Sequence, residues 1–155
     1  MPRIFSFERE LLATLDLMPL AVRRKLDLAG LKLSLEGWQA LPIADRRALA
    51  GAEVDDEAGQ VAFAGTLRAA SERAGVALKP LPRPEAFPWR APALPTAVRA
   101  RLGELGVELG DAAWAGLDDE ARFALLHLSD PRRELERLRA ALVDLGLAAE
   151  QEKKR

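Results

Sequence analysis

PLAVRRKLDLAGLKLSLEGWQALPIADRRALA, residues 19–50, occurs a second time in this chain as PTAVRARLGELGVELGDAAWAGLDDEARFALL, residues 95–126. The two segments align without a gap, and twelve of the 32 positions are identical. Composition alone would give about three identities. The sequence therefore predicts a duplicated structural unit. The predicted structural anchors are residues that recur at matching positions, namely Pro19, Gly30, Trp38, Pro95, Gly106 and Trp114.

Each copy is predicted to fold as a helix, a turn, a short helix and a further helix. In the first copy, Pro19 is expected at the first position of a helix, and Gly30 is expected to end that helix. Ser34 is a suitable cap for the short helix that carries Trp38, and Pro42 precedes the last helix. The residues with the matching roles in the second copy are Pro95, Gly106, Asp111 and Trp114.

Two more helices are expected before and between the copies. Ser6 is predicted to cap an N-terminal helix with apolar positions at Leu11, Leu12 and Leu15. Between the copies, a middle helix is predicted over roughly residues 55–74, with Gly75 at its end.

The C-terminal half adds a proline-rich connector and a last helix. Residues 80–95 contain six prolines and are expected to form an extended strap held to the surface by Phe87 and Trp89. The last helix is predicted to have Asp130 as its cap, Pro131 at its first position and Gly146 at its end. Residues 148–155 are expected to be a frayed tail. The prediction is a single all-α domain of residues 1–155, without a sheet.

Composition restricts the chemistry that this chain can perform. It has 155 residues, no cysteine and a net charge of −1. The absence of cysteine excludes disulfides, thiolate catalysis and cysteine-ligated metals. A mildly acidic balance disfavours nucleic acid as the main partner. No signal peptide and no apolar run long enough for a membrane span is present, so we expect a soluble, cytoplasmic protein without membrane partners.

The most suggestive polar cluster lies in the first copy. Arg23, Lys25, Asp27 and Lys32 form our candidate interaction surface, because the second copy has a diluted version of this charge pattern. The alternative interpretation is a solvated helix face, in which Arg23 and Asp27 form an ordinary i,i+4 pair.

No residue pattern indicates catalysis. His127 is the only histidine, lies on an apolar helix and lacks neighbours at metal-ligand spacing, which favours a structural role. The acidic runs at residues 55–57 and 118–120 fall where helices begin, so capping explains them. The repeated tryptophans are more simply packing anchors than docking residues. We therefore predict no enzyme activity, no metal and no cofactor.

Residues 5–38 resemble the nitrate reductase-associated protein family. The residues that carry the resemblance are Phe5, Phe7, Glu8, Leu15, Pro19, Val22, Arg23, Lys25, Leu26, Asp27, Gly30, Lys32, Leu33, Leu35 and Trp38. The segment Arg122–Leu125, followed by Leu128, resembles the C-terminal half of the family, whereas residues 51–93 match least. Members often have cysteines where this chain has Leu17 and Ala29, so no thiol-based role carries over.

The resemblance implies an accessory or assembly protein that binds nitrate reductase or one of its maturation factors. It implies association and no reaction. One alternative is a small-molecule or cofactor binder with a pocket between the repeats, since clefts between helices are common ligand sites. Another is a helix-turn-helix-like DNA-binding protein, which the charge balance disfavours. The sequence leaves the oligomeric state open.

Overall fold

The structure, a computed structural model, describes residues 5–9, 15–82, 84 and 86–148. The predicted all-α fold is confirmed, because these residues form eight α-helices and only one very small sheet. The helices are α1 Leu20–Ala29, α2 Leu35–Ala40, α3 Ile43–Gly51, α4 Glu57–Ala74, α5 Thr96–Glu104, α6 Asp111–Ala115, α7 Asp119–Leu128 and α8 Leu135–Asp144. Two 3₁₀ turns occupy Ser6–Glu8 and Pro88–Arg90.

The sheet consists of strands β1, Leu31–Lys32, and β2, Lys79–Pro80, which pair antiparallel with Lys32 opposite Lys79. The pairing continues where the Leu81 N–H donates to the carbonyl of Gly30 at 2.9 Å. The expectation of no sheet is therefore wrong at this point. A two-residue strand is too short to show the alternation of apolar and polar residues by which strands are recognised.

The chain divides into two compact units, and the described part of the first comprises residues 8–9, 15–82 and 84. In this unit α1 packs against α4, and α3 packs against both helices. The buried Glu8 carboxylate accepts a hydrogen bond from the Leu20 N–H at 2.9 Å, where α1 begins. The largest fully buried side chains of this unit are Leu28, Trp38, Leu41, Leu49, Phe63 and Leu67.

The described part of the second unit comprises residues 5–7 and 86–148. Here α7 packs against α5, α8 and the 3₁₀ turn Pro88–Arg90. The Ser6 N–H donates to the Asp144 carboxylate at 2.7 Å. The largest fully buried side chains are Leu102, Trp114, Leu125, Leu128, Leu138 and Leu142. The single-domain organisation and the common arrangement of the two copies stay predictions.

Several predicted helix starts are displaced by one residue. Pro19 and Pro95 precede α1 and α5 as N-cap residues, with ψ angles of 151° and 144°, instead of occupying the first helical position. Gly110, and not Asp111, is the N-cap of α6. The Asp111 carboxylate is engaged elsewhere, because it accepts a hydrogen bond from the Leu94 N–H at 2.9 Å.

The predicted starts of the first and last helices are wrong by more. Asp130 forms a local turn in which its carboxylate accepts the Arg132 N–H at 2.9 Å, so Pro131 is not helical and α8 begins only at Leu135. Ser6 lies within a 3₁₀ turn and does not cap an α-helix. Leu15 lies outside any helix, with a φ of 51°. The predicted helical positions Leu11 and Leu12, and the tail from residue 149 onward, lie outside the described residues.

The middle helix follows its prediction closely. The Asp56 carboxylate caps α4 by accepting the Gly59 N–H at 2.7 Å, and Gly75 ends the helix with a φ of 69°. A Cβ atom at Gly59 would lie 2.5 Å from the carbonyl oxygen of Glu53, so the capped turn has no room for a side chain. Only glycine therefore fits at this position of the first helical turn.

The connector approaches the second unit through its aromatic residues. Phe87 and Trp89 are both buried, and their rings stack with centroids 4.4 Å apart. Trp89 in turn meets the Phe123 ring edge-on at 5.1 Å, which places the 3₁₀ turn Pro88–Arg90 against α7. Burial of two large aromatic side chains stabilises this contact.

Candidate functional site

The structure separates the four residues of the predicted interaction surface. Arg23 and Asp27 are half-buried on α1, and Lys32 is exposed on β1. Lys25 is only 3% exposed, so its assignment to a contact surface is wrong. The physical reason is the course of α1, which directs this side chain inward against α3.

Lys25 stabilises the end of a neighbouring helix. Its ammonium group donates to the carbonyl oxygens of Ala50 at 2.8 Å and Leu49 at 3.3 Å, at the C-terminus of α3. The last carbonyls of a helix have no partner within the helix, and a cation there also interacts favourably with the helix dipole. Lys25 is therefore a structural residue.

Arg101, at the matching position of the second copy, has a comparable environment. Its side chain donates to the carbonyl of Arg133 at 2.8 Å and pairs with Glu104 at 2.7 Å. Its exposed fraction is 12%. The cation at this position thus donates to backbone carbonyl oxygen in both copies.

The carboxylate of Asp27 lies in a partly desolvated environment. Burial raises the pKa of this group above its usual value, and the positive charge of Arg23 counteracts part of that rise. Arg23 and Asp27 therefore lie at the surface of α1, and partial burial also influences the pKa of Asp27.

Lys32 lies at the rim of a cleft of about 400 Å³ within the first unit. We call this cavity the lysine cleft, because Lys79, the cross-strand partner of Lys32, lines it as well. The remaining lining residues are Ser34, Glu36, Gly37, Ala40, Ala74, Gly75, Val76 and Ala77. Lys79 was not predicted, because no sequence signal indicates that its strand pairs with the turn after α1.

The second unit contains a cleft of about 480 Å³, which shares two lining positions with the lysine cleft. Glu108 and Gly110 line it where Lys32 and Ser34 line the first. Arg99 also lines it and forms an ion pair with Asp111 at 3.6 Å. Each of the two clefts lies within a single unit. The predicted ligand pocket between the repeats remains a prediction.

The tryptophans of the two copies have matching hydrogen bonds. Both indoles are fully buried. Trp38 Nε1 donates to the carbonyl of Leu15 at 2.6 Å, and Trp114 Nε1 donates to the carbonyl of Ala91 at 2.9 Å. In each copy the acceptor lies 23 residues before the donor. Such burial with a satisfied N–H is typical of packing anchors.

The turn glycines of the two copies also have the same backbone conformation. Gly30 follows α1 with a φ of 69°, and Gly106 follows α5 with a φ of 68°. Glycine adopts this left-handed conformation without the strain that a Cβ atom imposes.

The other residues considered for chemistry have structural contacts. His127 stacks on Phe123 with ring centroids 5.7 Å apart. Of the acidic runs, Asp56 and Asp118 are N-caps, and Asp118 accepts the Ala121 N–H at 2.8 Å. Asp119 forms ion pairs with Arg90 and Arg122. Partial burial acts to raise the pKa of Asp119, but hydrogen bonds from both arginines outweigh it and lower that pKa below its usual value.

The described part of the chain contains no group of three or more His, Asp or Glu side chains placed to hold a metal ion. None of its helices has both the length and the apolar character that crossing a bilayer requires.

Comparison with known proteins gives one match. Neither the curated proteins nor the solved structures include a match to this chain. The model of the conserved nitrate reductase-associated protein family, in contrast, matches residues 4–145 and so spans both copies of the repeat. The chain therefore belongs to the family of conserved nitrate reductase-associated proteins.

Proposed function

We propose that this protein is a non-catalytic accessory protein of nitrate assimilation, which binds nitrate reductase or a factor that matures it in the cytoplasm. The observation that carries the proposal is the family match over residues 4–145. The description of that family names an association with nitrate reductase and no reaction. The partner in this proposal is a protein, and neither nucleic acid nor membrane is needed.

The proposed contact surface is the outer side of α1 together with the strand that follows it, at Arg23, Asp27 and Lys32. Charge supports this choice. No described residue forms an ion pair with the Lys32 ammonium group, and Lys32 is exposed. At the position that matches Lys32, the second copy has the acidic residue Glu108. The first copy therefore retains positive charge that an acidic partner surface can bind.

Complementation of a deletion strain tests the proposal. In cells that lack the protein, nitrate reductase activity should fall and should recover when the wild-type gene is returned. Arg23→Glu should restore less activity, because the reversed charge repels an acidic partner and also lies beside Asp27.

The matched control is Arg99→Glu, which makes the same charge change at the corresponding position of the second copy. It should restore activity fully. Circular dichroism of both variants verifies that they fold. Unchanged reductase activity in the deletion strain would contradict the accessory role, and equal activity of the two variants would contradict the choice of surface.

A further inference from the structure

We propose that the lysine cleft of the first unit is a binding site for a small organic anion, with a phosphate or carboxylate group between Lys32 and Lys79 and an apolar body against the alanines of the cleft. Nothing in this inference rests on the association with nitrate reductase, since the site lies within one unit and needs no partner protein.

Two like charges lie next to each other at this cleft. Lys32 and Lys79 are directly opposite each other on β1 and β2, so their side chains lie on the same face of the sheet and both line the cleft. Like charges at directly opposite positions destabilise a strand pair. Neither ammonium group has an ion-pair partner among the described residues. An anion between them would remove this repulsion.

A further hydrogen-bond donor lies beside the two lysines. The Ser34 hydroxyl oxygen lines the cleft and accepts the Gly37 N–H at 3.0 Å, which leaves its own hydrogen able to donate to a ligand. Glu36 also lines the cleft, but within the described chain its carboxylate forms no ion pair with either lysine. The lining side chains therefore carry a net positive charge with three donors of hydrogen bonds.

The size and the lining of the cavity suit a small ligand. A volume of about 400 Å³ lies within the range of small-molecule sites. Ala40, Ala74 and Ala77 provide short apolar walls. At Gly37, a Cβ atom would lie 2.9 Å from a methyl group of Val76, so this glycine allows the close approach that forms one wall. An apolar body of moderate size is the complement of this surface.

The cleft of the second unit differs from the lysine cleft in most of its lining, but it shares the two positions that are Lys32 and Ser34 in the first copy. Glu108 replaces Lys32 there, and Gly110, which has no hydroxyl group, replaces Ser34. The remaining cation, Arg99, is paired with Asp111. Anion binding is therefore expected in the first unit only, and residues 107–110 serve as an internal control.

NMR titration of the full ¹⁵N-labelled chain tests the inference with three probes. Inorganic phosphate presents the anion alone, phenyl phosphate adds an apolar ring, and benzoate combines the ring with a carboxylate. We expect saturable shifts of the amide signals at residues 32–37 and 74–79, with those of residues 107–110 unchanged. Phenyl phosphate should bind more tightly than inorganic phosphate. Comparison of phenyl phosphate with benzoate identifies which anionic group the site prefers.

Variants at exposed positions separate charge from shape. Lys79→Gln should weaken phenyl phosphate binding about two- to fivefold, the usual effect of one exposed ion pair. Glu36→Gln should strengthen it, whereas Glu108→Gln in the other cleft should leave it unchanged. Ala77→Phe should fill the cavity and reduce the affinity for phenyl phosphate to that for inorganic phosphate. Ala77 is exposed, so this substitution should not disturb the core.

Three results would overturn the inference. The first is the absence of saturable shifts with all three probes. The second is unchanged binding in the Lys32→Gln, Lys79→Gln double variant, whose fold is verified by its NMR spectrum. The third is equal affinity for phenyl phosphate and inorganic phosphate in the wild-type protein, which would show that the cleft contributes nothing beyond charge.

Discussion

The indole N–H of Trp38 donates a hydrogen bond to the carbonyl oxygen of Leu15 at 2.6 Å. This contact stabilises the left-handed backbone conformation of Leu15, which lies shortly before the first copy. The guanidinium of Arg46 donates to the same oxygen at 3.0 Å. A left-handed conformation is unfavourable for leucine, because its Cβ atom crowds the backbone. Two donors on one carbonyl, together with burial of the Leu15 side chain, offset that cost.

Replacement of Trp38 by Phe should therefore destabilise the protein. The change removes a buried hydrogen bond and leaves a small cavity, so we expect the free energy of unfolding to fall by about 2–3 kcal/mol. Urea unfolding followed by circular dichroism measures this loss.

Trp89→Phe is the matched control for that substitution. Trp89 is equally well buried, but its indole nitrogen has no hydrogen-bond partner among the described residues. Its replacement should cost less than that of Trp38 by about 1 kcal/mol, the net value of one hydrogen bond. Equal losses in the two variants would show that the contact with Leu15 contributes nothing.

Lys25→Met should also destabilise the fold, although lysine is usually a surface residue. The substitution keeps the apolar stem but removes the ammonium donor from the carbonyls of Leu49 and Ala50. We expect a loss of about 2 kcal/mol in the free energy of unfolding. Lys32→Met, at an exposed position, should change stability by less than about 0.5 kcal/mol. If Lys25→Met is as stable as wild type, the assigned capping role is wrong.

The stability of the Asp27→Asn variant relative to wild type should increase as the pH rises. Burial raises the pKa of Asp27 in the folded state, so the folded protein binds this proton more tightly than the unfolded chain. The stability that Asp27 contributes is fully present below its usual pKa of 3.8 and is lost as the pH rises through the folded value. The variant has no carboxyl group at position 27, so it loses no stability from this titration. Its stability relative to wild type should increase between pH 3 and pH 7, as measured by urea unfolding.

The stability of the Asp119→Asn variant relative to wild type should depend on pH in the opposite direction. Although partial burial opposes it, hydrogen bonds from Arg122 and Arg90 lower the pKa of Asp119, so this group stabilises the folded state above pH 3.8. That contribution disappears as the pH falls through the folded value. The variant should thus be less stable than wild type at pH 7, and the difference should shrink below pH 3.8. Parallel pH profiles for Asp27→Asn and Asp119→Asn would refute at least one of the two assignments.

Helices whose ends are set locally were predictable from the sequence. Asp56 and Gly75 bound α4 as expected, because an N-cap and a left-handed glycine act through neighbouring backbone groups alone. Asp130 was misleading for the same local reason, since its carboxylate serves a turn at Arg132 and α8 begins later. In helix caps and in turns alike, a short polar side chain accepts a hydrogen bond from a nearby backbone N–H, so the sequence does not distinguish the two.

The candidate site could be predicted only in part. Lys32 is exposed as expected, but the burial of Lys25 depends on the end of α3, where the acceptor Ala50 lies 25 residues further along the chain. The lysine cleft was beyond sequence reasoning, because Lys79 reaches Lys32 through a strand pair of two residues on each side. Contacts of this range arise from tertiary packing and leave no local pattern.

Affinity purification from nitrate-grown cells tests the accessory role most directly. Tagged wild-type protein and the Arg99→Glu variant should retain nitrate reductase or one of its maturation factors in equal amounts, quantified by mass spectrometry, whereas Arg23→Glu should retain less. If the wild-type protein enriches neither, at low salt as well as at physiological salt, the protein is not an accessory partner of nitrate reductase.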